Sequence, residues 1–373
     1  MSSSMVSILR KSIVKPSSPT PISLRTHSLS YIDQALSHMY IPFAFFFPKP
    51  QQQTLTNNIS QAIQTSLSKT LTAYYPYAGF LRDNASVDCN DTGVEFIDAR
   101  IHCPMSDVLN DVENSQTIVF PNELPWRNSY DKDSVIPPPE NSPPLPTPVI
   151  LAQTQHCRQK RFFFSASKIN SLKAMVAAKT GIQNPTRTEV VSAYLYKCIV
   201  KTREDSDTLR PSQLFQYADI RPLALPQRLA QTSAGNLLST FCISTTHDED
   251  LYVARLVADL RKRKQGLYGE DMIKENELAL EIYESSKGGQ KPYEGDGFDK
   301  YFFSSVCNLP MYDVDFGWGR PVHVSVPMGP FKNFIVLFGN KSMGGVDAWV
   351  TMEETHMAAL EQNEELLQEF TST

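Results

Sequence analysis

"DFGWGRP", residues 315–321, sets two glycines around a tryptophan and places an aspartate ahead of them. Glycine allows backbone angles or close approaches that a side chain would block. Trp318 supplies a large packing surface, and Asp315 a carboxylate able to tie a nearby loop. The stretch reads as a structural turn in which Asp315, Gly317, Trp318 and Gly319 hold local geometry, and no proton transfer is assigned to Asp315. A loop with Cys307 precedes it, and the apolar "VHVSV" (322–326) follows. "NFIVLF" (333–338) and "VDAWV" (346–350) are further strands, and a last helix holds Met357, Leu360 and Leu367.

Towards the N-terminus, "KRFFFS" (160–165) is a strand and "SKINSLKAMVAAKTG" (167–181) a helix closed by Gly181. Ile169, Leu172, Met175 and Val176 form its apolar face. Thr186 and Glu189 have capping-box spacing for the helix "TRTEVVSAYLYKCIVK", whose Val191, Leu195, Cys198 and Ile199 face its core. Another helix over 250–264 opens on the acidic "HDED" and closes on the basic run Arg261–Lys264, which is expected to be a solvated helix end, with a phosphate contact as the alternative. "MYIPFAFFFP" (39–48) reads as a buried strand. Ile59, Ile63, Leu67, Leu71 and Tyr75 mark one helix face that Pro76 ends, with Gly79 in the turn after it. "SVDCND" and "GVEFIDARI" (86–101) read as two strands joined by a turn. Residues 134–148, "SVIPPPENSPPLPTP", hold seven prolines, which forbid both helix and sheet interior, so they read as a crossover. Helices and strands alternate throughout, so the class is α/β.

The length of 373 residues suggests two domains. They are drawn at 1–133 and 149–373, on either side of the crossover 134–148. A net charge of −5 gives no long-range pull toward nucleic acid. The six cysteines are scattered with no C-x-x-C pair, which argues for reduced thiols in a cytosolic protein and against a disulfide frame or metal site. The longest apolar run, "IPFAFFF" (41–47), is far below the ~18 residues that span a bilayer. The expectation is a soluble, cytoplasmic monomer with no nucleic-acid or membrane partner.

Together these segments resemble the plant BAHD acyltransferases, which move an acyl group from coenzyme A to an alcohol or amine. The resemblance covers nearly the whole chain. It is carried by "KPSSPTP" (15–21), "LSYIDQ" (29–34), "YYPYAGFL" (74–81), "VDCNDTGVEF" (87–96), "NPTRTEVVSA" (184–193), "AGNL" (234–237) and "DFGWG" (315–319). The wording at 15–48 and 87–96 is most similar to the branch with vinorine synthase, the acylsugar acyltransferases and the capsaicinoid-forming acyltransferase. The resemblance implies two chloramphenicol-acetyltransferase-like domains with mixed sheets. It also implies acyl-CoA as a co-substrate rather than a permanently bound cofactor, and a small-molecule acceptor from specialised metabolism. Thr186 and Arg187, at a helix start suited to phosphate, are the expected coenzyme A contacts.

In that family a histidine of an HxxxD motif is the general base, a role that contributes on the order of 10²–10⁴ in rate. The histidines here are His27, His38, His102, His156, His247, His323 and His356, and none has aspartate four residues later. No catalytic residue is therefore assigned. Relatives would carry a strand-helix-strand unit after "LPWRN" (124–128), about sixty to seventy residues long. Here that segment is missing between Asn128 and Val135, so the N-terminal domain is expected to be incomplete. In "YADIRP" (217–222) Asp219 stands where the family has asparagine, and Arg221 matches an arginine that pairs there with the HxxxD aspartate. Arg221 is expected to have lost that partner, with Asp219 as the candidate substitute. The expected function is an acyltransferase impaired or silent for want of its base; the alternative is a noncatalytic truncated isoform or pseudoenzyme, acting if at all as a binding protein.

Overall fold

A computed structural model of the chain describes residues 5–29, 33, 42–49, 59–82, 86–111, 156–203, 210–219, 221, 235, 238–267, 297–327, 331–341 and 344–367. The crossover 134–148 and the boundaries at 133 and 149 lie outside them. In chain order the strands are β1 (Val6–Val14), β2 (Thr26–Ser28), β3 (Ala44–Phe46), β4 (Phe80–Leu81), β5 (Ser86–Asp88), β6 (Val94–Ile101), β7 (Cys157–Phe164), β8 (Ser212–Asp219), β9 (Leu238–Thr245), β10 (Asp299–Ser305), β11 (His323–Ser325), β12 (Phe334–Gly339) and β13 (Val346–Glu353). The helices are α1 (Ile59–Ala73), α2 (Met105–Asn110), α3 (Ala166–Thr180), α4 (Arg187–Lys201), α5 (Val253–Leu267), α6 (Glu354–Glu361) and α7 (Glu364–Leu367).

The second half of the chain builds one six-stranded mixed sheet, ordered β7-β13-β12-β10-β8-β9. β8, β10 and β12 run parallel, and the outer pairings are antiparallel. Strict alternation along β13 sorts its side chains: Val346, Ala348, Val350 and Met352 join the main core, while Trp349 packs on the other face with Val324, Val326 and Phe338. The sheet is thus covered on both faces, as parallel strands require.

α4 lies at the heart of this half, and eleven of its fifteen residues are buried. A helix so enclosed must satisfy its polar side chains internally. Ser192 Oγ donates to Gln216 Oε1 at 3.0 Å, and the Tyr196 and Thr245 hydroxyls meet at 2.8 Å. α3 follows its sequence signals: Ser165 Oγ accepts from the Lys168 N–H at its start, and Gly181 closes it at a left-handed φ of 70°.

The first half is built differently. Among the described residues it forms the pair β1-β6, the sheet β2-β5-β4, and the strand β3, which pairs with β11. α1 ends at Ala73 as Pro76 dictates, but of its apolar stripe only Leu71 is buried. "SVDCND" and "GVEFIDARI" do form two strands joined by a turn, and the two enter different sheets. The reason lies in the loop between them. Asp91, at φ 59°, accepts from the Thr20 N–H at 2.9 Å and the Thr20 hydroxyl at 2.6 Å, and pairs with Arg25 at 3.3 Å. This binds the loop to "KPSSPTP" rather than folding it back on itself. Gly79 is required by contact: a Cβ there would stand 2.1 Å from the Asp88 carbonyl oxygen.

Three more expectations need adjustment. "IPFAFFF" yields only the three-residue β3, and it is half-buried rather than buried. β11 hydrogen-bonds to it along three residues, and its aromatic neighbours finish the packing. α5 begins at Val253 because Asp250 caps the turn before it, accepting from the Thr246 and His247 N–H groups at 2.9 and 3.1 Å. The last helix divides at Gln362–Asn363 into α6 and α7; Met357 and Leu360 are buried, and the Leu367 side chain lies outside the described residues.

The contrast between the halves predicts uneven protection, since local stability follows buried apolar contact. Hydrogen exchange is expected to be fast in 59–73 and 94–101 and slow in 299–305 and 334–353. Equal, strong protection in all four segments would show that the first half is as firmly packed as the second.

Candidate functional site

A cleft of about 840 Å³ opens where the parallel strands β8 and β10 end. Thr186, Arg187 and Thr188 at the start of α4 form one wall, with Tyr217 and Asp219 of β8, Phe241 of β9 and the segment after β10 opposite. Lys173 of α3 and Lys264 of α5 complete a basic rim in which Asp219 is the one acid among the described lining residues. The carboxyl ends of parallel strands beside a helix N-terminus are where α/β sheets bind ligands, and backbone N–H groups there favour anions. Three cations against one carboxylate strengthen that preference.

The helix start is locked. Thr186 and Glu189 form the full capping box: the Glu189 N–H donates to Thr186 Oγ1 at 3.2 Å, and the Thr186 N–H to Glu189 Oε2 at 2.7 Å. Arg187 extends toward β10 and donates to the Cys307 carbonyl at 3.2 Å, and the Thr188 and Ser305 hydroxyls meet at 2.9 Å. Both residues that the sequence suggests for coenzyme A, Thr186 and Arg187, line the cleft.

Arg261 corrects the sequence reading. It is no solvated helix end: its guanidinium grips both oxygens of Glu189, at 3.0 and 2.6 Å. It also donates to the carbonyls of Gln183 and Asn184 at 3.0 and 3.2 Å. Burial pushes the Glu189 carboxyl up, but the hydrogen bonds from Arg261 and the Thr186 N–H outweigh it and leave the group below its usual value. Of the basic run, Lys264 faces the cleft. No spacing rule joins residues 189 and 261, so the sequence had no signal for this pair.

The DFGWG turn lies elsewhere, between the two halves. Asp315 ties its own turn, not another loop: Oδ1 accepts from the Gly317 N–H at 2.7 Å and the Gly319 N–H at 3.1 Å, and these bonds lower its pKa. No atom lies within 4 Å of a Cβ placed at either glycine, so their φ of 100° and 107° is what demands glycine. Trp318 stacks on Phe316 at 5.4 Å, and both rings meet Phe47 edge-on, at 6.3 and 5.8 Å. The turn thus clasps the N-terminal aromatic run just before β11 pairs with β3.

Arg221 is not left without a partner. It donates to Asp219 Oδ1 at 3.1 Å and to the Gly235 carbonyl at 2.8 Å. A Cβ at Gly235 would stand 3.7 Å from Asp33 Oδ1, so Arg221, Gly235 and Asp33 meet at one place. Among the described residues, no histidine lines the cleft. His323 packs at a tilt against Phe46 at 5.8 Å, and burial, aided by Arg161, pushes its pKa down to about 4. His102 hydrogen-bonds Ser7 at 2.8 Å, and His27 packs edge-on to Tyr75.

Residues 4–138 and 129–367 match the model of the Transferase family. The chain belongs to the BAHD transferase family. It is 40% identical to acyltransferase Pun1 of Capsicum frutescens, with 98% of each chain covered. That alignment spans 435 positions. Since 98% of 373 residues is about 366, and 435 less 366 is 69, about 69 positions carry no residue of this BAHD chain. The crystal structure of vinorine synthase aligns with a TM-score of 0.75 at 25% identity, covering 97% of this chain and 98% of the other. The two-domain α/β fold with mixed sheets is therefore the fold of this BAHD chain. Fusarium graminearum TRI101 complexed with coenzyme A and deoxynivalenol shares the fold at a TM-score of 0.63 and 14% identity, covering 92% of this chain and 98% of that one.

The turn gives a direct test. Asp315→Ala removes the acceptor of two backbone N–H groups, whereas Asp315→Asn keeps a side-chain oxygen in its place. Trp349 is buried, so with Trp126→Phe as the background, iodide reads Trp318. The alanine variant is expected to increase iodide quenching of Trp318 fluorescence, and the asparagine variant to stay near the parent. Identical quenching in all three proteins would mean that Asp315 does not hold the turn.

Proposed function

We propose that this chain is an acyl-CoA-binding member of the BAHD family whose acyl transfer is impaired or silent. The family reaction would carry an acyl group from acyl-CoA to the alcohol or amine of a specialised metabolite. The cleft carries this reading: Thr186 and Arg187 offer a phosphate the N-terminal amides of α4 and a guanidinium, with Lys173 and Lys264 beside them. Acyl-CoA is a co-substrate here, not a resident cofactor. TRI101, which shares the fold, forms a complex with coenzyme A, and this agrees with that choice.

The impairment rests on the missing base. A hydroxyl or amine must lose a proton as it attacks the thioester carbonyl, and the family histidine takes that proton. No histidine of this chain has aspartate four residues later. The two matches to the family model meet at 129–138, the same place where the sequence reading puts the missing segment, and the roughly 69 unfilled positions agree with its expected length. We read 1–133 as a shortened N-terminal domain, 134–148 as the crossover and 149–373 as the complete C-terminal domain of a cytoplasmic monomer. Among the described residues no helix is long and apolar enough to cross a membrane.

Purified protein, given short and medium acyl-CoAs with alcohol and amine acceptors, is expected to show no transfer above background. Robust turnover would overturn the silent reading, and its loss on replacing one histidine would identify a substitute base. Coenzyme A titrated calorimetrically is expected to bind, with Arg187→Ala about ten-fold weaker, as for a charged hydrogen bond. Unchanged affinity would remove Arg187 from the site.

A further inference from the structure

We propose that Arg261 is a positioning residue for the cleft: it holds the 183–189 segment in the shape that binds the phosphates of coenzyme A, without touching them. The inference rests on the coenzyme A reading of the cleft. One guanidinium makes four hydrogen bonds, all to that segment. Two go to the Glu189 carboxylate, at 3.0 and 2.6 Å. Two go to the carbonyls of Gln183 and Asn184, at 3.0 and 3.2 Å. Glu189 is the third residue of α4 and the carboxylate half of its capping box, so the oxygen that receives Arg261 also receives the Thr186 N–H. Gln183, Asn184, Pro185, Thr186 and Arg187 form one continuous wall of the cleft. Asn184 sits at a left-handed φ of 52°, a conformation that an L residue seldom holds without support. Arg261 itself is not among the lining residues, whereas Lys264, one turn further along α5, is.

The arrangement couples two helices to one ligand wall. α5 brings Arg261 to the outside of the segment and Lys264 to the inside. If the fork is lost, Glu189 keeps only its capping bonds, and the carbonyls of 183 and 184 lose their anchor. The N–H groups and the Arg187 side chain aimed at a phosphate then lose their fixed places. Lysine cannot replace the fork, because a single ammonium cannot span a carboxylate and two carbonyls in that geometry.

The test uses the full chain and coenzyme A itself. Arg261→Lys preserves the charge and removes the fork; Arg261→Gln removes both. Calorimetry is expected to show coenzyme A binding roughly ten-fold weaker in Arg261→Lys, within the range of couplings between residues that share partners. The dependence of affinity on salt should be unchanged in that variant, because the number of charges facing the ligand is unchanged. Hydrogen exchange at 183–188 should quicken while the strands at 334–353 stay protected. Should Arg261→Gln fail to fold, Arg261→Lys carries the experiment. A lysine variant with lowered thermal stability but parental affinity would reduce Arg261 to a purely structural role and overturn the proposal. If Arg187→Ala also left affinity unchanged, the cleft reading itself would fall; if only Arg187→Ala weakened binding, the cleft reading would stand and this inference would not. Absence of coenzyme A binding by the parent protein would overturn both.

Discussion

The burial of α4 is the constraint on which the second half of the protein depends. A helix packed against β10 and the helices α3 and α5 brings its N-terminal carboxylate, Glu189, into the interior with 8% of its surface exposed. An unpaired charge there would be severely destabilising, of the order of 3–5 kcal/mol when one partner of a buried pair is removed. Arg261 meets that demand from α5 with a bidentate grip. The same guanidinium also ties the chain entering α4, through the carbonyls of Gln183 and Asn184. The 183–187 wall of the cleft enters α4 beside this contact, and Lys264, three residues after Arg261, lines the same cleft.

The two halves carry different structural loads. The second closes a six-stranded sheet over a continuous core, whereas the described parts of the first are small sheets pinned by side-chain clasps such as Thr20 with Asp91. Short paired strands leave edges, and edges are normally covered or joined to neighbours. The one sheet that joins the halves among the described residues, β3 with β11, is three residues long on each side. DFGWG strengthens this junction by packing Phe316 and Trp318 against Phe47. A strand-helix-strand unit missing from the first half would account for the small sheets.

Much of this was legible from residues alone, for a physical reason: local patterns are dictated by local chemistry. The Thr186–Glu189 capping box, Gly181 at the end of α3, Pro76 after α1 and the alternating strand β13 depend on neighbours within a few residues. They are found where the pattern puts them. Family membership was equally legible, because short motifs spread over the whole chain match in order. The absence of a histidine with aspartate four residues on is also a property of the sequence and needs no fold.

What required the tertiary structure were the contacts between distant segments. Arg261 looked like a solvated helix end because its partner stands 72 positions away and no periodicity links them. That "SVDCND" and "GVEFIDARI" enter different sheets could not be read from their turn, because Asp91's partner Thr20 lies 71 positions earlier. For Arg221 the residues offered Asp219 as a partner, but not the Gly235 carbonyl that also receives it. Local chemistry therefore dictated most of the elements, their caps and the motifs that mark the family. Which charges from distant segments meet is settled by the fold, because such a pair is selected by the distance between chain segments in the folded core, and that distance is not written in their spacing.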